Sequence, residues 1–444
     1  MKSIHKLLDP YRYADARITR SRYSRAVLKD KEFDSVRQGT TESVACRVLV
    51  NGAMGFASSN RVNELPLLLK EAEKLARVQP GKMMLAEPEV HQARSIGPGK
   101  KSPENIDIEE KLSRLKAYEK RARKKKIHRV QVNYADGTYD SELYGSTGAH
   151  VIDHEHRVLT QIFVYAKENG RTEHSFDQVK ARGGMEALKG MHEKIDRAVN
   201  EALLMLKAEH GPKGKMNVIL DPEIAGVLAH EAVGHACEAD EIQSGGSCLQ
   251  GKLGNRIGSE TVNISDSPVY DDALWGSYAY DDEGTKTKKT ELVKKGVLNN
   301  YLTSLSTAKQ NLGRLSGNAR GESDSRPIVR MSNTYFEKGS EKKEALFSEL
   351  KNGVYLVGCK EGQVSPKTGN FTFAARYGYV VKNGKQTKRM KNCSINGNIL
   401  EALHHIKQVA NDMAFTPGTC GKYAQEAPVT TGSPHLIIND ILVG

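Results

Sequence analysis

Asn-Gly and Asp-Gly pairs recur along this chain between runs of strand-forming residues, and that pattern constrains its fold more than any other feature. They fall at Asn51-Gly52, Asp136-Gly137, Asn169-Gly170, Asn352-Gly353, Asn383-Gly384 and Asn396-Gly397. Both residues of such a pair tolerate the positive φ that a two-residue hairpin turn demands. Val44, Cys46, Val48 and Val50 alternate ahead of the first pair, as a half-buried strand should. VYLVGC, FTFAARYGYVV and LIINDILVG are strand-like runs in the second half. Repeated hairpins predict antiparallel sheet.

Helical periods fill the gaps. They predict helices over 63–77, 104–125, 185–209 and 399–410. A further short helix starts at Asp221-Pro222, where Asp is a good N-cap and Pro a good first residue. The fold class expected is α+β: an N-terminal antiparallel sheet with packed helices, then a C-terminal, largely antiparallel β domain carrying the Asp221-Pro222 helix. HGPKGK at 210–215 is the natural break, giving domains 1–213 and 214–444.

Composition excludes several classes. The chain has 444 residues, 38% hydrophobic and 27% charged, enough to bury a sizeable core. No run approaches the 18 or so apolar residues of a membrane span. The first residues, MKSIHKLLDPYRYADAR, lack the apolar core of a secretory signal, so a cytoplasmic location is expected. Six scattered cysteines are too few for a disulfide framework and leave thiols free as metal ligands. The net charge of +12 is concentrated in clusters such as Arg121 to Lys126 at a helix end. No nucleic-acid motif accompanies it, so no specific nucleic-acid partner is expected.

The segment HEAVGH carries the chemistry. His230 and His235 are metal-ligand types, and Glu231 sits beside the first of them. A carboxylate there can take a proton from water at the metal and hand it to a leaving amine. In the common zincin pattern the histidines lie four apart, one helical turn. Here they lie five apart, roughly 500° on an ideal helix, which leaves them about 140° out of line. Both can reach one ion only if the helix is distorted or ends between them. A π-type turn would do it, and Gly234 makes the deformation cheaper.

A catalytic zinc needs a third protein ligand. Cys237, Glu238, Asp240, His404, His405 and Cys420 are the candidates. Cys237 would point away along a continuing helix, while Glu238 stays open. Cys420 leads, because thiolate is a good zinc ligand and Gly418 and Gly421 let its backbone approach closely. His150, His154 and His156 would share one strand face, where a second metal is conceivable but a solvated polar face is the simpler reading. Arg320, Arg326 and Arg330 are candidate substrate-binding residues, able to grip a peptide carboxylate or backbone.

RVLVNGAMGFAS (47–58), LAHEAVGHACEAD (228–240), YDDEGTKTKK (280–289), GNAR (317–320), RPIVRMSNTY (326–335), GNFTFAARYGYVVKNGK (369–385) and PGTCGKYAQEAPVTTGSPHLIINDILVG (417–444) together resemble the TldD family of TldD/TldE (PmbA) metallopeptidases. The resemblance runs through most of the chain. It implies His230, His235 and Cys420 as zinc ligands, Glu231 as catalytic carboxylate, and the catalytic TldD-type subunit. It implies zinc-dependent hydrolysis of unfolded peptides or leader segments, in a dimer, typically a heterodimer with a TldE/PmbA-like subunit. The alternative is a non-catalytic peptide-binding or maturation partner with a structural metal. Ala424 and Thr431 stand where the family often has Gly.

Overall fold

A computed structural model describes residues 4–309 and 314–444. The first part is built on one seven-stranded sheet. Its strands are β1 (Ala14–Lys29), β2 (Glu32–Val50), β3 (Ala53–Ser59), β4 (Gln92–Ile96), β5 (Ile127–Gly145), β6 (His150–Glu168) and β7 (Arg171–Arg182). They run in the order β3-β2-β1-β5-β6, and both β4 and β7 pair with the far side of β6. All pairs are antiparallel except β4–β6.

Helices Leu65–Arg77, Ile108–Ala122 and Met191–Met205 lay their apolar faces on this sheet. The last is entered through a 3-10 turn, Met185–Gly190, so the run expected over 185–209 is two elements. Asn51-Gly52 and Asn169-Gly170 turn hairpins with positive φ, as expected. Asp136-Gly137 does not: both residues lie inside β5, paired on β1 and β6. A turn signal loses to pairing when both neighbouring strands are long enough to hold the segment flat.

Among the described residues the second part holds a two-stranded ribbon, Ala319–Arg320 with Ile328–Val329, and two large sheets with a helix between them. One has eight strands, including Gly214–Leu220, Gly353–Val364, Asn370–Lys382 and Leu436–Val443. The other has six, ending in Asn333–Phe336, Gln425–Ser433 and, at its edge, Ala414–Lys422. Most pairs are antiparallel, as the α+β reading requires; Asn333–Phe336 with Gln425–Ser433 is a parallel exception. Asn383-Gly384 turns a hairpin, but Asn396-Gly397 lies within the strand Ser394–Asn398. The helix expected over 399–410 stops at His404, and Ile406–Val409 pairs as a strand with Leu436–Val443.

The helix Pro222–Leu228 is the element that positions the site. Asp221 caps it, its carboxylate accepting the Ile224 N–H at 3.1 Å. Ile224, Ala225 and Leu228 are fully buried in a core shared by both sheets. At Gly226 a Cβ would sit 2.9 Å from the Gly432 backbone nitrogen, so only glycine lets helix and strand approach this closely.

Candidate metal centre

The helix changes pitch where the two histidines begin. Residues Ala229–Gly234 form a π turn, followed by a 3-10 turn, His235–Cys237. The backbone N–H of His235 donates to the His230 carbonyl, a bond spanning five residues. That bond brings residues five apart to one side of the helix, the distortion the spacing demanded. Gly234 serves it by being small: a Cβ there would lie 1.9 Å from the Met331 sulfur.

His230 and His235 face each other with ring centres 5.1 Å apart. Cys420 arrives from the edge strand Ala414–Lys422, its Sγ 3.3 Å from His235 Nε2. One donor atom from each of the three lies within 4.8 Å of the others. Among the described residues this is the one group of three or more such donors placed to share an ion. The histidines on β6 are engaged elsewhere: His154 with Asp140 at 2.7 Å, His156 with Thr138 at 3.0 Å, and His150 stacked on Tyr144.

Burial would lower the His235 pKa, but Glu238 and Cys420 beside it outweigh burial and raise it well above the usual imidazole value. Burial disfavours the Cys420 thiolate, but His230 and His235 beside it outweigh burial and lower its pKa to about 4. The deprotonated form that a metal requires is therefore the form the site favours. His230 is buried, and its Nδ1 has no hydrogen-bond partner. A buried ring nitrogen without a partner is costly unless something completes it. Two imidazoles and a thiolate are a zinc-type donor set, so the residues present fit that ion.

Glu231 is partly exposed, as His235 is, and its carboxylate lies 3.9 Å from His235 Nε2. Glu238, left open as a third ligand by spacing, has a different place. Its Oε2 accepts from His235 Nδ1 at 3.1 Å, on the side of the ring away from Cys420. Burial alone would raise its carboxyl, but His235 and Lys422 hold it down at about 2. Asp240 is bound to Lys422 at 2.7 Å.

Across residues 213–444 the chain matches the PmbA/TldA metallopeptidase C-terminal domain. Residues 14–76 and 101–206 match domain 1 and the central domain of the same metallopeptidases. The chain belongs to the TldD/PmbA metallopeptidase family. It is 36% identical to a metalloprotease of Methanocaldococcus jannaschii, covering 97% of each chain. It is 30% identical to the metalloprotease TldD homolog of Haemophilus influenzae, over 99% of this chain and 94% of the other. The zinc metalloprotease TldD homolog of Saccharolobus solfataricus is 28% identical, over 94% of this chain and 93% of the other. Among solved structures, TldE of Thermococcus kodakarensis superposes with a TM-score of 0.77 at 17% identity, over 99% of this chain and 98% of that one. A Thermotoga maritima protein described as a modulator of DNA gyrase superposes at 0.81 and 22% identity, over 97% and 96%. These last two speak to the fold alone.

The arginines singled out in the sequence of this TldD-family chain separate in space. Arg330 is buried and its guanidinium donates to the carbonyls of Cys420 and Gln425. Arg320 stacks on Tyr278 with its carbon 4.7 Å from the ring centre, and its Nη1 donates to the Met331 and Pro428 carbonyls. Both line a cavity of about 590 Å³ between the first sheet and the second part, bordered also by Arg157, Trp275 and Thr419. Arg326 is exposed and lies off that cavity. The cavity reaches Thr419 but none of the three donor residues. Among the described residues no helix is long and apolar enough to cross a membrane.

Lys422 carries no mark of its own in the sequence, and Glu238 is marked there only as a possible ligand. The only signal for them was proximity: Glu238 is three residues past His235, and Lys422 two past Cys420.

Proposed function

We propose that this chain is a zinc-dependent peptidase acting on unfolded peptides or leader segments. The observation that carries the reading is the convergence of His230, His235 and Cys420 within 4.8 Å, with Glu231 alongside. His230, His235 and Cys420 would hold the ion. A zinc there supplies a Lewis acid that polarises the scissile carbonyl and makes water acidic near neutral pH.

Glu231 then does the proton work. Its carboxylate takes a proton from the attacking water and delivers it to the amine nitrogen as the peptide bond breaks. Its partial exposure, beside two buried neighbours, suits a group that must meet solvent and substrate. Cys420 stands on an edge strand, which among the described residues pairs only with Gln425–Ser433. An edge offers backbone groups to an extended peptide whatever its side chains, which favours unfolded substrates over folded ones. Arg320, which lines the neighbouring cavity, would meet part of such a substrate. Membership of the TldD/PmbA family favours assembly with a TldE/PmbA-like subunit, as a dimer.

The test is Glu231→Gln, with zinc content measured by elemental analysis and cleavage measured on an unstructured, quenched fluorescent peptide. The variant should keep its zinc and lose about 10²-fold or more of the activity, the usual range for a general base. Undiminished cleavage would refute the role given to Glu231. A wild type that holds zinc and, with its partner subunit present, cleaves no unfolded peptide would favour a structural metal instead.

A further inference from the structure

The donor set is divided between two segments that meet only in the folded chain. His235 leaves the π turn, and Cys420 sits on a strand 185 residues away. Glu238 and Lys422 join them. Glu238 is fully buried, and its Oε2 takes both His235 Nδ1 and Lys422 Nζ, each at 3.1 Å. Its Oε1 is buried without a partner, so the charge depends on these two neighbours. Lys422 also donates to Asp240 at 2.7 Å and to the Val329 carbonyl at 3.2 Å.

The turn after Lys422 is held against its own preference. Tyr423 and Ala424 have φ of +49° and +60°, a conformation unfavourable for a residue with a Cβ. The Tyr423 hydroxyl donates to Glu241 at 2.6 Å, which fastens the hairpin tip to the segment that follows His235.

We propose that Glu238 and Lys422 form a positioning pair that sets the separation of His235 and Cys420 before any metal binds. The inference rests on reading His230, His235 and Cys420 as the metal ligands. A carboxylate on Nδ1–H fixes the imidazole tautomer and leaves Nε2 free as the donor, on the side facing Cys420. Lys422 holds that carboxylate while carrying the strand of Cys420 with it.

The experiment uses the full chain with Glu238→Gln, Lys422→Met, Lys422→Arg and the Glu238→Gln/Lys422→Met double variant. Circular dichroism of the metal-free proteins confirms folding, zinc affinity is read by competition with a chromophoric chelator, and cobalt is substituted for its visible absorption. Glu238→Gln and Lys422→Met should each weaken zinc about 10–100-fold and change the cobalt spectrum. Lys422→Arg should restore most of the affinity, and the double variant should be weakened by less than the product of the two single losses. Should Glu238→Gln not fold, Glu238→Asp, one methylene shorter, carries the same expectation. Folded variants with zinc affinity within about twofold of wild type and an unchanged cobalt spectrum would overturn the pair. A wild type that takes up no zinc, or a His230→Ala control that binds it as tightly, would bring down the ligand reading as well.

Discussion

Two carboxylates in this molecule, Glu238 fully buried and Glu155 half-buried, have nearly the same electrostatics and very different neighbourhoods. Glu155, on β6, lies between Arg157 at 2.5 Å and Arg182 at 2.6 Å. Glu238 lies between His235 and Lys422, both at 3.1 Å. Burial works against each charge, and the flanking cations hold each at about 2. Around Glu155 the partners are permanent cations, and they tie the first sheet to the 273–275 segment through the Trp275 and Ala273 carbonyls. Around Glu238 one partner is an imidazole whose other nitrogen faces a thiolate-forming cysteine. Beside it, His230 Nδ1 has no partner at all. Glu155 is held between two guanidiniums that only neutralise it, whereas Glu238 holds an imidazole whose second nitrogen faces Cys420.

The comparison breaks most sharply at Cys420. Cys420→Ser should cost most of the zinc affinity, read by chelator competition, while the metal-free protein still melts cooperatively. Retained tight zinc binding would mean that Cys420 is not a ligand. The converse change, Glu155→Gln, should leave zinc affinity alone and lower stability by about 3–5 kcal/mol in denaturant titration, because Arg157 and Arg182 would be buried without their carboxylate. A shift in zinc affinity there would erase the distinction between scaffold and site.

Acid separates the same regions more gently. The Glu155 carboxyl has its folded pKa lowered from 4.5 to about 2 by Arg157 and Arg182, against the cost of burial. A depressed acid stabilises the fold fully above its unfolded value, and the contribution fades as pH falls from about 4.5 toward 2. Wild type should therefore lose stability across that window, and Glu155→Gln should lose less of it. Equal slopes in the two proteins would remove Glu155 from the account. The smallest effect is expected at the hairpin tip. Ala424→Gly relieves a left-handed residue and should raise stability by about 1 kcal/mol without changing zinc affinity. A weakened zinc site in that variant would show that the Ala424 methyl, and not the Glu238–Lys422 pair, holds the tip.

Much of the scaffold was legible in local sequence. Asn51-Gly52, Asn169-Gly170 and Asn383-Gly384 turn where turn chemistry put them, and Asp221-Pro222 starts its helix. Asp136-Gly137 and Asn396-Gly397 carry the same signal and are strand, because neighbouring strands pair with Asp136, Gly137 and Asn396 on both sides and with Gly397 on one. The helix expected to run to Ala410 ends at His404, since Ile406 and Val409 have the edge of Leu436–Val443 to join. Local propensity cannot see a partner strand that is distant in sequence.

By itself the sequence determined the α+β class, the family and the need for a deformed helix between His230 and His235. A five-residue spacing reaches a common face only if the helix is distorted or ends between the two histidines, and the His235 N–H to His230 carbonyl bond supplies the distortion. Only the tertiary structure decided that Glu238 orients His235 from behind and that Lys422 links it to the strand of Cys420. It also separated Arg320, in the cavity, from Arg326, outside it. Spacing along a chain fixes azimuth over a turn or two of helix. Distances between segments 185 residues apart are set by the core that packs them.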